Sequence, residues 1–365
     1  MKLVCDREGL VAALTGVARV ATSRGGVQVL AGVRLGVENG TLTLAATDME
    51  LSCRGSIEVD AQESGVVVVP ARALLDIVRR IQSQDVTLTA ESADGVLRVT
   101  NGESDYALNV YSAMDFPALP TYASGLGTEV DRVLFLDTVA RVVRAASTDA
   151  SRPVYTGVRM SIGSGEVNLA ATDGYRLASK TTSLRTSGEM AEALIPARAL
   201  QELARLATAG DSLQITLTPN LIAFELADVV LTSRRLDGEQ QSHEHILTGT
   251  FAHHATVARN ELLEAVDRAA VIVHRNSPIE LAFSETELRL RVRSPELGEA
   301  NERVKLRGPG PTIRIGFNAS FFRDGVELVH GEEMRFKMND GIRPVVLQGT
   351  QDDFAYLVAP IRLSE

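Results

Sequence analysis

In this 365-residue chain the residue types best suited to metal or nucleophilic chemistry are six histidines and two cysteines, and their spacing supports little of either. His243-x-His245 and His253-His254 bring imidazoles together. No cysteine lies nearby, and two such generic pairs do not make the ligand set of a zinc site. Surface histidines near a loop explain them better. Cys5 and Cys53 are too few for a disulfide framework or a thiolate zinc site and sit in strand-like surroundings, which predicts buried free thiols. There is no Gly-rich phosphate loop ending in Lys-Ser/Thr, no nucleophile elbow and no His-Glu-x-x-His helix. The carboxylates are spread out, without the paired cluster that glycoside chemistry or metal-dependent nucleotidyl transfer needs. An enzyme is therefore the weaker class of reading, and neither cofactor nor metal is expected.

The function has to be sought in how the chain is organised. With 45% hydrophobic and 23% charged residues and no low-complexity tract, it reads as ordinary globular protein, and its length predicts two or three domains. The start, Met1-Lys2-Leu3-Val4-Cys5-Asp6, lacks the basic and apolar runs of a secretory signal. Apolar stretches such as Gly65 to Pro70 are strand-sized rather than membrane-sized, so the cytosol is the expected compartment.

A repeat sets the architecture. Leu42-Thr43-Leu44-Ala45-Ala46-Thr47-Asp48 returns as Val167-Asn168-Leu169-Ala170-Ala171-Thr172-Asp173, an offset of 125. Val69-Pro70-Ala71-Arg72-Ala73-Leu74 returns as Ile195-Pro196-Ala197-Arg198-Ala199-Leu200, an offset of 126. A more diverged third copy carries Leu288 to Ser294 for the first landmark and Ile315 to Ser320 for the second, with 122 residues from Pro196 to Asn318. Three units tile the chain, each a short strand, an amphipathic helix, several strands, a second helix and further strands.

The first helix, about Arg7 to Ala21, places Leu10, Leu14, Val17 and Ala21 on one face. The second opens near Pro70 or Pro196, where a missing amide costs nothing. Val86 to Ala90 and Leu213 to Leu217 alternate with the period of half-buried strands. The joins are Asp115-Phe116-Pro117-Ala118-Leu119-Pro120 with Ser124 to Gly127, and the polar segment Asp237 to Thr250. The expected fold is α+β, with domains at 1–125, 126–249 and 250–365.

Charge is distributed unevenly over the six expected helices. The first four carry Arg7, Arg19, Arg72, Arg79, Arg80, Arg141, Arg144, Arg198 and Arg205 against Glu8, Asp76, Asp137 and Glu202, whereas the last two are acidic and the whole chain stands at -10. A positive helical surface on an acidic body suits loose binding of a polyanion. From charge alone, plain solvation of exposed arginines is the commoner explanation. Aromatic residues make up only 4% with no Trp, which argues against a base-stacking platform for single strands.

Several segments resemble one known family. Thr172-Asp173-Gly174-Tyr175-Arg176-Leu177-Ala178 is similar to the central-domain signature of bacterial DNA polymerase III beta subunits, the DNA sliding clamps, and Tyr356-Leu357-Val358-Ala359-Pro360-Ile361-Arg362-Leu363 to their C-terminal signature. The repeat, Asp115-Phe116-Pro117 and Ala46-Thr47-Asp48 fit as well, so the resemblance spans the chain. It implies three clamp domains per chain, each two helices packed on antiparallel sheets. It also implies a head-to-tail homodimeric ring around duplex DNA, without sequence preference or catalysis.

By position, the resemblance makes Arg24, Arg72, Arg79, Arg80, Arg141, Arg144, Arg198 and Arg205 candidates to face DNA phosphates. It puts Tyr106 and Leu108 on one edge of the dimer interface and Val271 and Ile272 on the other. It implies a cleft between the second and third domains for a short peptide motif of the polymerase alpha subunit, the clamp loader, other polymerases and repair proteins. The cleft residues by position are Tyr155, Thr172, Gly174, Tyr175, Arg176, Leu177, Ile246, Leu357, Ala359, Pro360, Ile361 and Arg362. Apolar walls with a few polar anchors suit a Leu- or Phe-bearing peptide, and Gly174 permits close approach.

The sequence departs from the family at several points. Gln240-Gln241-Ser242-His243 stands where an aromatic-proline pair is frequent, and His245 where a basic residue is. Ala359 is smaller than the usual occupant, and Ser364-Glu365 extend past the customary end. The competing reading is a non-catalytic repeat scaffold that binds protein partners only.

Overall fold

The computed structural model describes residues 1–22, 26–91, 95–122, 127–185, 190–206, 210–238, 240, 244–273, 278–350 and 353–363. The helices are α1 (Arg7–Ala18), α2 (Ala71–Arg80), α3 (Arg132–Val142), α4 (Ala197–Ala204), α5 (Glu244–Leu247), α6 (Arg259–Ala270) and α7 (Ala319–Leu328). The first stops at Ala18, three residues short of its expected end. Asp6 caps its start by accepting a hydrogen bond from the Gly9 amide at 2.7 Å. Leu10, Ala13, Leu14 and Val17 form its buried face. Pro70 stands immediately before α2, where its fixed φ suits helix entry, and Pro196 has the same place before α4. In the third copy Asn318 takes that position, and its side chain accepts from the amides of Ser320 and Phe321. The short α5 lies in the polar join, where the sequence pattern predicts only a loop.

The strands of the described residues form four antiparallel sheets. Strands Asp60–Glu63, Lys2–Asp6, Asp85–Ala90, Val96–Thr100 and Asp105–Asn109 form the first, in that order. The second has eight strands: Thr128–Asp131, Ser212–Leu217, Leu221–Glu225, Val229–Arg234, Leu51–Glu58, Thr41–Thr47, Gly32–Glu38 and Gly65–Pro70. The third also has eight: Ala191–Pro196, Gly157–Gly163, Glu166–Thr172, Arg176–Ser183, Ala355–Val358, Val345–Gly349, Glu333–Met338 and His253–Ala258. The fourth runs Gly298–Lys305, Glu287–Ser294, Pro278–Phe283, Ile313–Asn318.

Both eight-stranded sheets cross a repeat boundary. Val229–Arg234 pairs with Leu51–Glu58, so that Thr232 faces Ser52, and Ala355–Val358 pairs with Arg176–Ser183, so that Leu357 faces Leu177. Backbone pairing across the joins makes compact units that differ from the repeats. One comprises Met1–Leu136, Leu184–Glu189 and Arg198–Arg235; the other comprises Asp137–Ser183, Met190–Ala197 and Leu236–Glu365.

Strand alternation sends every second side chain to a core. In the second unit Phe317 stacks on Phe322 with ring centroids 5.5 Å apart, and Phe283 meets Phe336 edge-on at 5.1 Å. Cys5 and Cys53 are buried free thiols, and burial pushes each up to about 12. No helix among the described residues is long and apolar enough to cross a membrane. Both thiols should resist iodoacetamide at pH 8 in the native chain and react once it is unfolded. Rapid native alkylation of either, read by mass spectrometry, would contradict this packing.

Candidate functional site

The turn between the two central strands of the signature shows why its residues recur. Thr172 Oγ1 donates to the Arg176 carbonyl at 2.6 Å and accepts from the Gly174 amide at 3.0 Å. Asp173 Oδ1 accepts from the amides of Tyr175 and Arg176 at 2.9 and 3.0 Å. The first repeat builds the same turn, with Thr47 Oγ1 donating to the Leu51 carbonyl and Asp48 Oδ1 accepting from Glu50 and Leu51. The residue after the aspartate has φ +93° in the second copy, where it is Gly174, and +79° in the first, where it is Met49. Left-handed backbone there explains the glycine.

That turn opens onto an apolar cluster in the second unit. Leu177, Leu357, Val346 and Leu247 are buried together, with Phe251 and Ala355 against them. Strand register creates the row, because Leu177 faces Leu357 and Leu357 faces Val346, while α5 contributes Leu247. Ile246, beside Leu247, is exposed, as is Tyr175 at 63%. Beyond the last strand the Ala359 amide donates to the Tyr175 carbonyl at 2.8 Å and the Ile361 amide to the Gly316 carbonyl at 2.8 Å. Ala359, Pro360 and Ile361 are half-buried and Arg362 is exposed.

The charged wall is fixed. Arg176 donates from Nε to Asp173 at 3.0 Å and from Nη1 to Asp324 at 2.5 Å, and its guanidinium lies 4.3 Å from the Phe321 ring centroid. Tyr356 is buried beside it, donates to the Phe321 carbonyl at 2.9 Å, and has its phenol pushed well up by burial. Arg152 covers Tyr155 at 4.0 Å and reaches the Asp173 carbonyl at 3.3 Å. The structure thus brings Tyr155, Thr172, Gly174, Tyr175, Arg176, Leu177, Ile246, Leu357, Ala359 and Ile361 to one turn, one sheet face and its flanks. Leu247, Phe251, Val346, Arg152 and Asp324 join them, and sequence reasoning missed these. Leu247 sat beside the chosen Ile246; Val346 needed the register of a strand pair that no repeat landmark marks. Gln241, Ser242, His243, Ser364 and Glu365 lie outside the described residues.

The first join carries the same sheet crossing with different chemistry. Its pair Ser52 and Thr232 stands where the second join has Leu177 and Leu357. A cavity of about 260 Å³ there is lined by Ser52, Arg54, Leu119, Pro120, Thr121, Tyr122, Glu225, Val230 and Thr232. That wall mixes Ser52, Arg54, Glu225 and Thr232 with Leu119, Pro120 and Val230, unlike the all-apolar cluster at the second join.

The arginines divide. Arg72, Arg79 and Arg80 are exposed on α2. Arg79 donates to Thr15 Oγ1 at 2.9 Å, and Arg80 pairs with Asp76 at 3.7 Å. Arg144, Arg198 and Arg205 are partly exposed and pair with Glu327, Asp48 and Glu202 respectively. Arg141 corrects the expectation. It is 3% exposed, donates from Nε to the Leu328 carbonyl at 2.9 Å and lies 4.3 Å from the Phe354 ring centroid, so its charge serves the interior. Arg24 lies outside the described residues.

Two of the strands that end a sheet are the counterparts of strands paired across the joins. Asp105–Asn109, bearing exposed Tyr106 and half-buried Leu108, ends the first sheet. Gly298–Lys305 ends the fourth, and α6 packs on it with Arg268 donating to Glu302 at 2.8 Å. Val271, 75% exposed, and half-buried Ile272 follow α6. Among the described residues no cluster of His, Cys, Asp and Glu could hold a metal ion. His253 and His254 lie on an edge strand, and His243 falls outside the described residues.

Comparison with known proteins covers the whole chain. Residues 1–120 match the N-terminal domain of the DNA polymerase III beta subunit, 129–240 its central domain and 245–362 its C-terminal domain. The beta sliding clamp of Streptomyces coelicolor is 33% identical and that of Synechocystis sp. 32%, each covering 100% of both chains. A Pseudomonas aeruginosa sliding clamp solved bound to griselimycin is 29% identical, with a TM-score of 0.92 and 100% of both chains covered.

Replacing Arg141 with Ala should cost about 2–4 kcal/mol in urea unfolding, from a lost charged hydrogen bond to a buried carbonyl and a lost ring contact. Arg72→Ala should stay within about 0.5 kcal/mol. Equal effects of the two would contradict the buried role.

Proposed function

The chain belongs to the DNA polymerase III beta subunit family, and we propose that it works as a sliding clamp, a processivity factor that encircles duplex DNA and does no chemistry of its own. The observation that carries this reading is the repeat of one sheet contact. At each join within the chain, the last strand of one repeat pairs with a fixed strand of the preceding repeat: Val229–Arg234 with Leu51–Glu58, and Ala355–Val358 with Arg176–Ser183. The counterparts that remain are Gly298–Lys305 in the third repeat and Asp105–Asn109 in the first, and each stands at the edge of its sheet. A third join of the same kind can form only between copies, head to tail, and the family resemblance puts closure at two copies. Tyr106 and Leu108 on one side and Val271 and Ile272 on the other would flank it. Exposed edge strands are templates for pairing, and ring closure covers them.

In this reading the domains run 1–125, 126–249 and 250–365. Arg72, Arg79, Arg80, Arg144, Arg198 and Arg205, with Arg24, supply the positive surface for DNA phosphates. Sequence-independent attraction between exposed arginines and phosphates lets a bound protein slide along the duplex. The cluster of Leu177, Leu247, Val346 and Leu357, with the turn at Gly174 and the segment Ala359 to Arg362, takes the apolar residues of a short peptide from the polymerase alpha subunit, the clamp loader, other polymerases or repair proteins. The griselimycin complex of the Pseudomonas relative shows that a clamp of this fold accepts a bound ligand. The cytoplasm, where the chromosome is replicated, is the proposed compartment.

Clamps loaded on a nicked circle should remain bound through gel filtration and run off once the circle is cut to a linear form. Equal loss from circle and line would show binding without encirclement and leave only the protein scaffold.

A further inference from the structure

Exposed arginines of the second unit are commonly neutralised by carboxylates: Arg144 by Glu327, Arg268 by Glu302, Arg291 and Arg293 by Glu299, Arg314 by Glu280. Strand Glu333–Met338 differs. Its Met334, Phe336 and Met338 are fully buried, so Arg335 and Lys337 point to the opposite face, and neither makes an ion pair among the described residues. His254 faces Lys337 from the edge strand and is exposed. Burial and then the neighbouring charge of Arg335 push Lys337 down; burial, Arg335, Lys337 and His253 do the same to His254. Glu333, the next residue on that face, forms no ion pair with Arg335 among the described residues. The result is a patch of uncompensated positive charge on a chain of net charge -10.

Register joins this patch to the apolar cluster. His254 faces Lys337, Lys337 faces Val346, Val346 faces Leu357, and Leu357 faces Leu177. Paired residues on neighbouring strands share a face and lie about 5 Å apart, so Lys337 and then His254 continue the row for roughly 10 Å to the sheet's edge.

We propose that this row is one docking surface, in which Lys337 and Arg335, with His254 beside them at the sheet's edge, hold acidic residues of a partner peptide immediately flanking the apolar residues that enter the cluster. It rests on the peptide-cleft reading and adds the charge of the partner. One observation favours an acidic peptide over other polyanions: the positive patch is continuous with an apolar cluster, so a single segment can satisfy both. A nucleic acid would use the cations but gain nothing from Val346 and Leu357.

The test uses the full-length protein and fluorescein-labelled peptides with the same Leu-Phe anchor, flanked by Gly-Ser or by Asp-Glu on either side. One acidic flank should tighten binding roughly three- to tenfold at about 50 mM salt, and the gain should vanish near 0.5 M. The double variant Arg335→Gln, Lys337→Gln should bind the neutral peptide as the wild type does and lose the gain. Equal binding of neutral and acidic peptides to the wild type, or a gain that survives in the variant, overturns the proposal while leaving the cleft standing. Failure of every peptide to bind removes the cleft reading and the acidic flank with it. Displacement of the acidic peptide by a 20-nucleotide oligothymidylate, lost in the same variant, would assign the patch to nucleic acid instead.

Discussion

Antiparallel backbone pairing between the last strand of one repeat and an edge strand of the preceding one is the contact on which the rest depends. An unpaired strand edge exposes a row of amides and carbonyls whose burial without partners is costly, so each edge must be covered or used. This chain uses two of them internally, and each use produces an eight-stranded sheet. That is why compactness follows the sheets rather than the repeats. The helices then pack apolar faces onto these sheets, as α1 does through Leu10, Ala13, Leu14 and Val17. Arg72, Arg79 and Arg80 of α2 face away from that packing, whereas the Leu328 carbonyl and Phe354 ring draw Arg141 of α3 inward.

The two internal joins share a geometry and differ in side chains, and that difference places the candidate peptide site. Where the sheets cross, Ser52 and Thr232 meet at one join and Leu177 and Leu357 at the other. The repeat gives both joins the same strand crossing, and the side chains at the crossing make only the second one apolar. Burial of the leucines against Leu247 of α5 then ties the cluster to the segment between the second and third repeats. Arg176 adds stiffness by holding Asp173 in its own turn and Asp324 on α7.

Much of this was legible in the sequence because it is local. Ala-Ala-Thr-Asp marks a turn whose aspartate and threonine satisfy backbone groups two to four residues away, and proline marks helix entry, so both recur at fixed spacing. The third copy was harder to see because Asn318 does by side-chain capping what Pro70 and Pro196 do by fixed backbone geometry. What depended on distant pairing was not legible. Nothing near Arg141 in sequence announces Phe354, and nothing near Val346 announces Leu357 and Leu177. The short α5 was missed because four residues carry no periodicity.

Hydrogen–deuterium exchange of the edge strands of the first and fourth sheets that lack a join within the chain, followed as the protein is diluted, probes the central contact most directly. Amides of Asp105–Asn109 and Gly298–Lys305 should be protected together where two copies associate and lose that protection in parallel on dilution. Persistent fast exchange in either strand while the copies remain associated would show that they meet by some other surface, and the repeated sheet join would not be what closes the ring.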